Sequence, residues 1–333
     1  MTKYLYYPGC SMDASGKAYD ESLGQIVGPL GIELAEIEDW NCCGATEYFS
    51  VSLAPAYALI GRNLALAAQQ ANGSKTLVAP CSACYLNLAK TDHYMGESGE
   101  LNATVNDALG AGGLSYKPGS VEVRHLLDVI VHDIGYDAVK ASVVKPLAGL
   151  KVAPYLGCMV PRPDYAGRFS DHEQPRELDR LIRALGAEVV DFPLRTACCG
   201  GHMAQISPDM GFEMIRRLVH TATAAGADLM VTVCPMCQMN VDFYQGEMNR
   251  HFHTDYRMPI LFFTQLMGVA FGKDPKALGF GKELVSARKA MEKVGVEVPA
   301  AEEEGSAGRP RPRREKKQGL PMPAMPGRDE VEP

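Results

Sequence analysis

The sequence lacks an apolar run long enough to cross a bilayer. Its longest late run, PILFFTQLMGVAFG, spans about 14 residues and contains Gln265, short of the roughly 20 that a membrane helix needs. It reads as a buried strand running into a helix. No charged segment followed by an apolar stretch opens the chain, because MTKYLYYPGC reads as a short strand entering a turn; a cytoplasmic protein is expected. Basic excess is also missing. The 33 Lys and Arg against 40 Asp and Glu leave a net charge of −7, and the 8 His form no dense cluster, which makes nucleic acid and anionic membranes poor partners. No G-x-G-x-x-G stands between a strand and a helix, so flavin or nicotinamide binding by this chain finds no support. The Gly-rich Gly110–Gly113 stretch reads as a loop.

What is present is sulfur. A chain of 333 residues with 46% hydrophobic residues has the length of roughly two domains. Its 10 cysteines, in a reducing compartment, point to ligands or redox groups rather than structural bridges. Cys10, Cys42, Cys43, Cys81 and Cys84 follow C-x31-CC-x37-C-x2-C, and Cys158, Cys198, Cys199, Cys234 and Cys237 follow C-x39-CC-x34-C-x2-C. Corresponding thiols lie 148 to 156 residues apart, an internal duplication at domain scale. The flanks repeat as well: KYLYYPGC matches KVAPYLGC, and KTLVAPCSACYLNL matches DLMVTVCPMCQMNV, with Asn87 and Asn240 each three residues after a CxxC motif.

Each half reads as an apolar strand ending in a cysteine, a helix, a strand running into CC, a helix, and a strand running into CxxC. Such alternation predicts an α/β fold with parallel strands, helices on both faces and all strand C-termini on one edge. Five thiols separated by dozens of residues then meet in one crevice. Helix N-termini beside the CC and CxxC turns favour thiolates, and Gly44 and Gly200 let backbone approach a bulky group. Four ligands complete either a zinc site or a cubane cluster, and both leave one thiol over in each half. Structural zinc remains the plainer reading of the paired CxxC motifs. Five convergent sulfurs suggest a larger group, in which one sulfur of a CC pair bridges two irons and its neighbour caps one.

The elements Cys42-Cys43-Gly44 and Cys198-Cys199-Gly200 resemble those of the cysteine-rich CCG domain family, and residues 1–272 as a whole are similar to the B subunits of heterodisulfide reductases. The resemblance implies two pseudo-symmetric, Rossmann-like CCG domains, placed here at residues 1–148 and 149–290. It implies that each five-cysteine set holds a noncubane [4Fe-4S] cluster and that a disulfide is reduced to two thiols between them. The substrate implied is the heterodisulfide of coenzymes M and B, or an analogous small-molecule or protein disulfide. Disulfide reduction takes two electrons, one from each cluster. No ferredoxin-like C-x2-C-x2-C run is present, so electrons must arrive from a partner. By resemblance that partner is the small ferredoxin-like subunit of such complexes, fed in turn by their flavin-containing subunit. The other function kept open is an electron-relay subunit of a glycolate, lactate, glycerol 3-phosphate or quinone-linked oxidoreductase.

Smaller features complete the reading. His202, in CCGGHM, is a candidate proton donor beside the second set, though a histidine in a loop is often only structural. His125, in VRHLLD, is read as capping a helix. Tyr7, Pro8 and Gly9 shape a turn, and Met159, Met203 and Met236 pack around sulfur. The last segment, residues 300–333, is rich in proline and charge and is expected to be a disordered tail.

Overall fold

The apolar segments that end in cysteine motifs all become strands. The computed structural model describes residues 1–299 apart from residues 46, 72 and 166, and the tail expected at 300–333 lies outside the described residues. The first half runs β1 (Thr2–Tyr6), α1 (Lys17–Val27), β2 (Ile32–Glu36), α2 (Glu47–Val51), α3 (Leu53–Gln69), β3 (Thr76–Ala79), α4 (Ser82–Glu97), α5 (Gly99–Gly110) and β4 (Glu122–His125). It closes with α6 (Leu126–Asp128), a π-helical turn (Val129–Ile134) and α7 (Tyr136–Ala141). The second half repeats this as β5 (Lys151–Tyr155), α8 (Glu177–Ala184), β6 (Glu188–Val189), α9 (Met203–Ile206), α10 (Pro208–Ala224) and β7 (Leu229–Thr232). Then come α11 (Pro235–Phe243), α12 (Gln245–Phe252), β8 (Ile260–Phe262), α13 (Phe263–Ala270) and α14 (Arg288–Glu292). The late apolar run is thus the buried strand and helix read from the sequence.

Both sheets have four strands, ordered β2-β1-β3-β4 and β6-β5-β7-β8, and every pairing is parallel. The central strands TLVA and LMVT are nearly or wholly buried, the composition of sheets covered on both faces. One edge differs between the halves. β6 has two residues where β2 has five, and Pro154 of the neighbouring β5 offers no N–H to extend the ladder. In each sheet the strand order reverses between its first and third strands, the switch point at which a crevice opens beyond the strand ends.

The halves are not independent blocks. α1 of the first half packs along α13 of the second: Tyr19 stacks on Phe262 with centroids 4.5 Å apart, and Ser22 Oγ lies 2.6 Å from Thr264 Oγ1. Reciprocally, α8 packs on α7, where the Tyr136 hydroxyl donates to the Glu177 carbonyl at 3.3 Å. One buried apolar cluster therefore contains Tyr19, Leu23 and Ile26 together with Leu178, Leu181, Phe263 and Leu266. Burial of apolar area at about 25 cal/mol per Å² makes this shared layer the main force joining the halves. Among the described residues no helix is long and apolar enough to cross a membrane.

Candidate metal centre

All ten cysteines lie at or just beyond the C-terminal ends of strands or at the starts of the helices that follow. Cys10 follows β1, Cys42 and Cys43 follow β2, and Cys81 is the N-cap of α4, which carries Cys84 one turn on. The second half repeats this with Cys158 after β5, Cys198 and Cys199 after β6, and Cys234 as the N-cap of α11 with Cys237 inside it. Gly9 and Gly157 make the turns after β1 and β5 at φ +73° and +72°. A Cβ there would stand 2.8 Å from Cys84 Sγ and 3.0 Å from Cys237 Sγ, so only glycine lets those thiols seat against the backbone.

The CC turns are held by matched hydrogen bonds. The Tyr7 hydroxyl donates to the Asn41 carbonyl at 2.7 Å, and the Tyr155 hydroxyl to the Ala197 carbonyl at 2.9 Å. Asn240 Nδ2 donates to the Cys199 carbonyl at 2.5 Å, while Asn87 Nδ2 donates to the carbonyls of Cys43 at 3.3 Å and Ala45 at 2.5 Å. The asparagines noted as a repeat thus tie each CxxC helix to its CC turn. In the second half Arg195, fully buried, pairs with Asp179 at 2.5 Å, and its carbonyl accepts from Leu156 and Gly157 N–H. That joins the approach to Cys198 with the turn before Cys158.

Two pairs of sulfurs in the first set are in contact. Cys10 Sγ is 3.5 Å from Cys42 Sγ, and Cys43 Sγ is 3.4 Å from Cys84 Sγ. Beyond these contacts the thiols influence one another's ionisation in order, through Cys84, Cys81, Cys234 and Cys237 to Cys199, Cys198 and Cys158. This order reads the same from either end, and the two sets influence each other through Cys81 and Cys234. Its middle is buried, whereas Cys10, Cys42 and Cys198 are exposed and Cys158 half-buried. Exposed apolar side chains, Val51 and Leu53 in one half and Ile206 and Met210 in the other, follow the two CC turns.

Packed thiols cannot all keep their protons equally. The Cys42–Cys43 pair shares one, and hydrogen bonds from Cys42 and then Cys84 hold the Cys43 thiol down to about 3. In the Cys198–Cys199 pair the thiolate sits at Cys198, held at about 2 chiefly by Cys158 and Cys199. The Gly200 N–H donates to it at 3.3 Å. Cys234 is likewise lowered, by Cys237 first and Cys81 second. Each such pair titrates as a unit, and each thiolate is a ready soft ligand.

Iron–sulfur groups fit this donor set. Every candidate ligand is sulfur, thiolates are favoured at three positions, and the Gly200 and Gly201 N–H groups donate to sulfur. A zinc site requires four ligands about one point. Among the described residues no three His, Cys, Asp or Glu side chains are grouped as a metal site, so the fit rests on the chemistry of the donors. His202 lies beside the second set as the residue preceding α9, half-buried. His125 caps α6 by accepting the Leu127 N–H at 3.1 Å, as read from the sequence, and burial lowers its pKa from 6.5 to about 4. Tyr19, which sequence reasoning passed over, lies near the meeting point of the two sets; only its place three residues after Gly16 in an apolar helix face hinted at burial.

Comparison with known proteins agrees with this architecture. The family described as CCG, cysteine-rich domain, matches twice, at residues 4–89 and 152–242. The 8-methylmenaquinol:fumarate reductase membrane anchor subunit of Wolinella succinogenes is 33% identical over 287 residues, covering 86% of this chain and 98% of that one. The B subunit of the ferredoxin:CoB-CoM heterodisulfide reductase of Methanosarcina mazei is 29% identical, covering 88% and 97%. A protein of Archaeoglobus profundus described as like the heterodisulfide reductase B subunit is 29% identical, covering 83% and 93%. Among solved structures, a hypothetical protein from Helicobacter pylori aligns with a TM-score of 0.67 at 15% identity, over 86% of this chain and 52% of that one. The chain thus spans about half of that protein, a likeness of fold alone.

Proposed function

The chain belongs to the CCG cysteine-rich domain family, and from that premise we propose that it is the catalytic iron–sulfur subunit of a heterodisulfide reductase-type complex. It is an oxidoreductase component in which Cys10, Cys42, Cys43, Cys81 and Cys84 hold one noncubane [4Fe-4S] cluster and Cys158, Cys198, Cys199, Cys234 and Cys237 the other. The two CCG domains are residues 1–148 and 149–290. When bound, such clusters supply one electron each and soft sites for a thiolate. The protein's own groups do the rest. Asn87 and Asn240 hold the CC turns, glycine N–H groups stabilise negative sulfur, and the burial of the middle thiols keeps water from them. His202 is the candidate donor of a proton to a product thiolate at the second set.

The observation that carries this reading is the convergence of the two sets, with Cys81 and Cys234 buried and influencing each other's ionisation and Cys10, Cys42 and Cys198 exposed. Two one-electron centres side by side match a two-electron cleavage of a disulfide. Electrons come from a ferredoxin-like partner, itself fed by a flavin-containing one, and the complex works in the cytoplasm. The exposed apolar side chains after the CC turns suit such docking. A second reading, an electron relay toward quinone chemistry, is favoured by the relative named as part of a menaquinol:fumarate reductase.

One experiment separates them. Anaerobic protein is expected to contain about eight irons per chain and little zinc. Its reduced clusters are then mixed either with candidate disulfides or with a menaquinone analogue. Reoxidation by a disulfide, with two thiols released per two electrons, supports the catalytic reading; reoxidation by the quinone alone supports the relay. Two zincs and no visible absorption would sink both.

A further inference from the structure

A polar knot that the proposed chemistry does not use lies between the two cysteine sets. Pro80 and Val233 immediately precede Cys81 and Cys234, the thiols through which the sets influence each other. Tyr19, fully buried on α1, places its hydroxyl 3.3 Å from each of their carbonyls. A hydroxyl has one proton and serves one carbonyl at a time. His125, also fully buried, stands near the same two carbonyls without a hydrogen bond to either. Its Nδ1 accepts the Leu127 N–H, which puts the proton of the neutral ring on Nε2. That Nε2 has no partner at full hydrogen-bond geometry. One hydroxyl thus faces two carbonyls, one from each half, with a second, unpartnered donor buried beside them.

The knot is asymmetric although its surroundings are duplicated. Phe262 takes in the second half the place of His125 in the first: each ends a fourth strand and caps the next helix, at φ/ψ −79°/146° and −76°/145°. Phe262 contributes no donor. It stacks on Tyr19 and so directs the hydroxyl toward the carbonyls. On the other side the ring of Tyr85 meets His125 edge-on at 5.8 Å. A peptide unit is planar and stiff, so a carbonyl held at Pro80 or Val233 also fixes the Cα of the following cysteine.

We propose that Tyr19 and His125 are positioning residues which clamp the two CxxC turns at a set separation and thereby set the coupling between the two cysteine-bound centres. This rests on the reading that each set holds a cluster. Loss of the Tyr19 hydroxyl leaves the carbonyls only the neighbouring His125 Nε2 to turn to, and loss of both frees the turns.

The test uses Tyr19→Phe, which keeps the stacking, and His125→Asn, which keeps a good helix cap, singly and together in the iron-loaded full chain. Magnetic interaction between the two reduced clusters is read by electron paramagnetic resonance, beside iron content and melting temperature. The expected result is a weaker interaction in each single variant and its loss in the double variant, with iron content unchanged. An unchanged interaction in the double variant overturns the clamp, as does wild-type protein with two clusters and no interaction. Should a variant lose iron or the double variant fail to fold, amide exchange at Cys81 and Cys234 in Tyr19→Phe decides: faster exchange than wild type upholds the clamp, equal exchange overturns it. Wild-type protein without iron refutes the cluster reading instead, and the same exchange measurement still judges the clamp.

Discussion

Gly9→Ala perturbs the first cysteine set at a single point. Gly9 has φ +73°, and an added Cβ would stand 2.8 Å from Cys84 Sγ. Non-bonded heavy atoms settle at roughly 3.5–4.0 Å, so the thiol must retreat by about an ångström. It has little room, being buried and already 3.4 Å from Cys43 Sγ. Gly113 supplies the control, with φ +71° and nothing within 4 Å of its added Cβ. Gly113→Ala carries backbone strain alone, about 1–2 kcal/mol, a fall of a few degrees in melting temperature at roughly 2–4 °C per kcal/mol. Gly9→Ala carries that strain and an overpacked thiol, about 1–3 kcal/mol more. Iron per chain after anaerobic reconstitution and the melting curve are the assays. Gly113→Ala is expected to keep its iron, whereas Gly9→Ala loses about half, the share of one four-iron set. A Gly9→Ala protein with full iron and the melting temperature of the Gly113→Ala control would refute the reasoning, because the glycine would then not be seating Cys84 as a ligand.

Three further outcomes are expected. Asn87→Ala and Asn240→Ala each leave buried carbonyls of a CC turn unpaired and should cost about 1–3 kcal/mol, measured by denaturant titration; unchanged midpoints would remove the tie between CxxC helix and CC turn. His125 is held at about 4 against an ordinary 6.5, so the unfolded chain binds the extra proton between those values. Its contribution is therefore full above pH 6.5 and is lost as pH falls toward about 4, at up to about 1.4 kcal/mol per pH unit. His125→Asn should flatten stability against pH in that window, and an unaltered slope there would count against burial as the cause. Asp179→Asn strips the fully buried Arg195 of its counter-charge and should destabilise by about 3–5 kcal/mol. Proteolysis should then cut first near Cys158 and Cys198, and equal protection in both halves would contradict the anchoring role of Arg195.

That each half carries its thiols beyond strand ends and at helix starts was already legible in the order of residues along the chain. Ten cysteines in two copies of one pattern, each behind a short apolar run, left little freedom: strands that short must pair in parallel around the helices between them, and their ends must share an edge. Local chemistry was equally legible where it depended on neighbours in the chain, as with His125, whose cap reaches only to Leu127. Asn87 and Asn240 were visible as a repeat but not as turn anchors, because their partners lie 41 to 44 residues away. How the halves meet, by contrast, emerged only from the folded chain. The packing of α1 on α13, the electrostatic coupling of Cys81 to Cys234, and the bonding of Tyr19 to a carbonyl of each half depend on burying apolar faces between halves. A duplicated pattern specifies each copy alike, and says nothing of which copy supplies a histidine and which a phenylalanine at their common boundary.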